Sequence, residues 1–140
     1  MKLDLSSFEK AILQLDNALK TYHSEIVQTN PELLIHVRAG AIQAFEFVYE
    51  LSWKLIKRYL QMSEPTSELI DQMSFPELMR TASEKGLIAS DVNQWRLYRE
   101  YRSTTNHTYA EDKAELIFEK LPNFLTEVQK ILEKLKERNI

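Results

Sequence analysis

The stretch from Pro31 to about Gln61 is the part of this sequence that most constrains its fold. It holds no further proline and a single glycine, Gly40, so it reads as one unbroken helix. Pro31 suits its first turn, where the fixed φ is already helical and the missing N–H is not needed. Leu34, Val37, Ala41, Val48 and Leu55 form one apolar row along this helix, and Ile42, Phe45, Tyr49, Ile56 and Leu60 form a second beside it. One neighbour cannot cover so wide an arc. The helix must be central in a bundle, or lend one row to a partner chain.

The flanking segments supply the neighbours. Ser6-Ser7-Phe8-Glu9 has the form of a capping box and predicts a helix start. From there Leu5, Phe8, Ile12, Leu15, Leu19, Tyr22 and Ile26 recur at spacings of three and four, as far as the break at Asn30-Pro31. Ser63-Glu64-Pro65-Thr66-Ser67 reads as a loop. Ser74-Phe75-Pro76-Glu77 is a second capping box and opens a short helix that closes at Lys85-Gly86. Ser90-Asp91 caps a segment from Val92 to about Thr104. A last helix, Glu111 to Asn139, carries Leu121, Leu125, Val128, Leu132 and Leu135, with Pro122 expected to bend or break it. The pattern predicts an all-α, up-and-down four-helix bundle with one short extra helix, formed by residues 1–140 as a single domain.

Composition narrows the chemistry. The 140 residues contain no cysteine, which excludes disulfide scaffolds, thiolate metal sites and thiol nucleophiles. A net charge of −3 argues against coating nucleic acid through global charge and leaves room only for a local basic patch. The N-terminus lacks a basic region followed by an apolar run, and no segment approaches a membrane span, so a cytoplasmic protein without membrane contact is expected. Gly40 and Gly86 stand alone, which rules out a phosphate loop and the Gly-Ser signature of a nucleotidyltransferase. His23, His36 and His107 are too scattered for a metal site, and no cofactor is expected.

One stretch combines cations with stacking rings. From Trp95 to Tyr109 the chain reads WRLYREYRSTTNHTY, placing Arg96, Arg99, Arg102 and His107 among Trp95, Tyr98, Tyr101 and Tyr109. Guanidinium groups pair with phosphates, and tyrosine or tryptophan faces stack on unpaired bases, so a nucleotide or single-stranded RNA site fits. The alternative is structural: Trp95, Leu97, Tyr98 and Tyr101 partly in the core, with the arginines paired to carboxylates. On a continuous helix Arg102 and His107 would point roughly 140° apart. A helix end at Thr104 to Asn106 would let them converge, and a histidine with a nearby arginine could then cleave RNA without metal. Phe45 and Trp53 read as core or dimer-interface residues, and Glu46 and Glu50 as solvated or paired, Glu50 with Lys54.

The segment Arg102-Ser103-Thr104-Thr105-Asn106-His107-Thr108-Tyr109 resembles the Arg-x4-His-x-Tyr motif of the HEPN superfamily of nucleotide-binding domains. With the block Ala41-Ile42-Gln43-Ala44-Phe45-Glu46-Phe47-Val48-Tyr49-Glu50-Leu51-Ser52-Trp53-Lys54, the chain is most similar to bacterial nucleotidyltransferase substrate-binding proteins. That resemblance implies a homodimeric helical bundle that binds nucleotide or nucleic-acid substrate and associates with a separately encoded minimal nucleotidyltransferase. With the cation–aromatic stretch, it makes Arg99, Arg102, Ser103, His107 and Tyr109 the candidate substrate-binding residues. It also implies an alternative, a toxin–antitoxin pair. There Arg102 and His107 are the catalytic residues of a metal-independent ribonuclease, and the partner silences it by adding AMP to Tyr109. Active members commonly carry Asn or Asp after the arginine; here the residue is Ser103.

Overall fold

The computed structural model describes residues 2–63, 65, 67–105 and 111–138. All regular structure among them is helical: α1 (Ser6–Tyr22), α2 (Glu25–Gln28), α3 (Pro31–Ser63), α4 (Ser67–Asp71), α5 (Phe75–Glu84), α6 (Val92–Thr105) and α7 (Glu111–Arg138). The all-α class is as expected. Two one-turn helices, α2 and α4, join the short α5.

The long helices alternate in direction, as shown by which residues meet. Glu9 near the start of α1 holds Lys136 near the end of α7 at 2.7 Å, while Tyr22 at the other end of α1 packs on Phe118. Helices α1 and α7 are therefore antiparallel. Phe45 and Trp95 both pack on Phe124, and Tyr98 stacks edge-on against it at 4.9 Å. These rings tie α3, α6 and α7 into one core.

Helix α3 is the central element, touching α1, α2, α4, α5, α6 and α7. Its second row, Ile42, Phe45, Tyr49, Ile56 and Leu60, is wholly buried. The first row is divided: Ala41 and Val48 are buried, whereas Leu34, Val37 and Leu55 are half-buried. Phe47 on α3 and Leu13 on α1 remain more than half exposed, so apolar surface is left uncovered by this chain alone.

Three local expectations are corrected. The first capping box does not form: α1 starts at Ser6 with Leu5 as its cap residue, and Asp4 accepts hydrogen bonds from the Ser6 N–H at 3.0 Å and the Ser6 hydroxyl at 2.6 Å. These bonds favour the ionised carboxylate and lower the Asp4 pKa, the hydroxyl bond contributing most. The first apolar stripe ends early. Ser24 is extended and breaks the helix, turning Ile26 out to 75% exposure and burying Val27 instead. Pro122 does not break the last helix, because α7 runs through it from Glu111 to Arg138.

The second helix start forms where expected, with Ser74 as its side-chain cap. Ser74 accepts from the Glu77 N–H at 3.3 Å and donates its hydroxyl to the Glu77 carboxylate at 3.0 Å. After α5, Gly86 adopts φ +74°, a conformation that β-carbon-bearing residues rarely take. Its carbonyl accepts from Lys134 at 2.6 Å, fixing this corner to α7.

Candidate functional site

The arginine-rich helix resolves into two faces. Trp95 and Tyr98 are buried and Tyr101 is half-buried, as the structural reading required, whereas Leu97, which that reading also placed in the core, is exposed along with Arg96 and Arg99. Trp95 is held by its indole N–H, which donates to Glu127 at 3.4 Å. The same carboxylate accepts from the backbone N–H groups of Ala89 and Ser90, at 3.1 and 3.2 Å. Glu127, itself buried, thus sets both the loop that starts α6 and the rotation of α6 about its axis. That rotation carries Arg99, Arg102 and Ser103 together onto the side facing α3 and α5.

There they border a cleft of about 480 Å³. Helix α3 contributes Tyr49, Glu50, Trp53 and Lys57, spaced so that four residues of one helical stripe face the same way. Phe75 and Leu78 come from α5, and Arg99, Arg102 and Ser103 from α6. The Arg99 guanidinium sits 5.0 Å from the centroid of the Phe75 ring, a cation–π distance. Burial pushes the Tyr49 phenol well above its usual pKa, against the opposing fields of Arg99 and Arg102, so its hydroxyl stays neutral.

Arg102 is clamped. Its guanidinium lies 3.7 Å from the carboxylate of Glu46 and 3.6 Å from that of Glu50, and Glu50 also meets Lys54 at 3.7 Å. The arginine is only 24% exposed, so this pairing is less screened than one on an open surface. The expected Glu50–Lys54 pair is present, and the contact with Arg102 comes in addition.

Of the residues expected in the site, the structure places Arg99, Arg102 and Ser103 on one cleft. His107 and Tyr109 lie outside the described residues; α6 closes at Thr105 and α7 opens at Glu111. Phe45 is core, whereas Trp53 is half-buried, packing against the core and lining the cleft. Sequence reasoning missed Tyr49, Lys57 and Phe75. The signal was the interval of three and four residues linking Glu46, Tyr49, Glu50, Trp53 and Lys57 on one side of α3. Among the described residues, no three His, Asp or Glu side chains are grouped so as to hold a metal ion, and no helix is long and apolar enough to cross a membrane.

The molecule is thus an all-α bundle with an aromatic, cation-rich cleft on one flank. The family described as nucleotidyltransferase substrate binding protein like matches residues 3–137, and the chain belongs to that family. A Haemophilus influenzae protein named "Probable ribonuclease HepT" is 44% identical over 101 residues, spanning 72% of this chain and 68% of the relative. Among solved structures, a Haemophilus influenzae protein described as revealing the fold of a substrate binding domain of a nucleotidyltransferase superposes with a TM-score of 0.88. It is 33% identical, over 95% of this chain and 99% of the other. A Thermus thermophilus protein gives a TM-score of 0.72 at 29% identity, over 91% of this chain and 98% of the other.

Proposed function

We propose that this chain is a helical subunit, acting as a homodimer in the cytoplasm, that binds a nucleotide or nucleic-acid substrate and associates with a separately encoded minimal nucleotidyltransferase. The observation that carries the reading is the convergence of Arg99, Arg102 and Ser103 on a cleft lined by aromatic rings. Phosphate oxygens match guanidinium geometry, and the rings offer stacking surface beside it. The family description supports the partner, and the chain's lack of a phosphate loop and of a Gly-Ser signature is consistent with nucleotide transfer residing in another subunit. The test is co-purification with the product of an adjacent small nucleotidyltransferase gene, followed by measurement of labelled-nucleotide binding to the complex and to its Arg102→Ala variant. Binding lost with Arg102 supports the reading; unchanged binding overturns the role of the cleft.

A second reading, a metal-independent ribonuclease neutralised by that partner, is favoured by the relative named as a ribonuclease. In it the ribose 2′-oxygen bonds to phosphorus and the bond to the 5′-oxygen breaks, giving a 2′,3′-cyclic phosphate. His107 takes the proton from the 2′-hydroxyl or delivers one to the leaving oxygen, and Arg102 stabilises charge on the phosphoryl group. The partner would silence it by adding AMP to Tyr109. Incubation of the purified chain with labelled RNA in chelator separates the two: cleavage that His107→Ala abolishes establishes the enzyme, and intact RNA leaves the binding subunit.

A further inference from the structure

We propose that the α3–α5 side of the cleft is a nucleoside-monophosphate subsite, with Trp53 as the stacking platform for the base and Lys57 with Arg99 as the phosphate clamp. The inference rests on the reading of the cleft as a nucleotide or nucleic-acid site and adds to it which unit is held, and by what. A volume of about 480 Å³ is in the range of small-ligand sites. Its charged lining comprises Lys57, Arg99 and Arg102 against the single carboxylate of Glu50. Glu50 is engaged with Arg102 and Lys54, which leaves the field of Lys57 and Arg99 to the occupant.

Both cations are available for exchange of partner. Lys57 meets Asp71 at 3.5 Å, but that carboxylate is 71% exposed, so water and salt screen the pair and a phosphate dianion can displace it. Arg99 is exposed and lies over Phe75, a contact that a guanidinium keeps while its edge N–H groups bind phosphate. Among the rings, Tyr49 is buried, and Phe75 and Trp53 each carry a cation, Arg99 at 5.0 Å and Lys54 at 5.8 Å from the centroid. Trp53 is half-buried at the cleft wall, and Lys54 is 61% exposed and can swing off the indole, which offers the larger stacking face. An acidic peptide would use the cations and leave the indole idle. A nucleotide uses both.

The same unit can arrive free or within an RNA strand, so two probes are used with the full-length chain: AMP, followed by calorimetry, and a fluorescein-labelled hexa-adenylate RNA, followed by anisotropy. Trp95 is fully buried, so quenching of tryptophan emission on binding reports Trp53. Trp53→Ala is expected to weaken binding by roughly 5- to 150-fold, the usual span for loss of one base–aromatic stack, while Trp53→Phe retains most of the affinity. Lys57→Ala is expected to weaken binding and to flatten its salt dependence. Circular dichroism verifies that each variant is folded. Tighter binding of the oligonucleotide than of AMP assigns the subsite to an RNA strand, and equal binding assigns it to the free nucleotide. Binding abolished by Arg102→Ala but indifferent to Trp53→Ala and Lys57→Ala overturns this inference and leaves the broader one standing. A wild-type chain that binds neither probe overturns both.

Discussion

At the scale of single residues, Glu127 and Arg102 illustrate opposite uses of a carboxylate. Glu127 is buried and accepts from three N–H donors, so Glu127→Ala strands all three and is expected to cost about 3 kcal/mol in urea unfolding. Around Arg102 the carboxylates hold a cation in waiting. Replacing both, as Glu46→Gln with Glu50→Gln, removes two negative charges from beside the guanidinium and leaves the cleft more positive. Phosphate-bearing probes are therefore expected to bind several-fold more tightly at low salt. Burial also pushes the Tyr98 phenol up to about 12, and Tyr49 further in the same direction. In the unfolded chain a tyrosine ionises near about pH 10, so above that the native state binds more protons than the unfolded one. Stability is then fully present below about pH 10 and is lost as pH rises through about 12, which thermal melts across that window will show. Little of this was legible in the sequence. Glu127 occupies a position on the apolar side of α7, three after Phe124 and one before Val128, and only the structure pairs it with Trp95.

At the scale of elements, the caps and breaks give separable effects. Ser74→Ala removes the acceptor for the Glu77 N–H and is expected to destabilise by about 1 kcal/mol. Pro122 lies deep within α7, exposed, and offers no N–H to the carbonyl four residues before it. Pro122→Ala restores that bond, and a gain of about 1 kcal/mol or more is expected in the same unfolding assay. The long helices were readable because their apolar periods and stop signals agree: Pro31 opens α3, Gly86 follows α5, and Asp91 caps α6 by accepting from the Gln94 N–H at 2.9 Å. The one-turn helices were not readable. Tyr22-His23-Ser24-Glu25 contains neither glycine nor proline, and the break there depends on an extended Ser24 whose hydroxyl donates back to the Thr21 carbonyl at 2.7 Å. Helix α4, with five residues, is too short to carry a period.

For the whole molecule, the exposed Phe47 and Leu13 fit the proposed dimer, since association would withdraw apolar surface from water. Sedimentation at twice the 16.5 kDa of one chain supports it, and sedimentation at the single mass overturns it. The site was half legible for a reason of topology. Arg99, Arg102 and Ser103 lie close together in sequence, whereas Trp53 and Lys57 join them only through the crossing of α3 and α6. The packing of α3 on α7 also governs how the chain is made. On the ribosome, α3 follows α1 closely, but Phe45 receives Phe124 only after about eighty more residues have been synthesised. At roughly 5–20 residues per second, the central helix spends on the order of several seconds with its widest apolar face uncovered. Slowing translation between Ser63 and Glu111 therefore lengthens the time for which that face is open to other apolar surfaces.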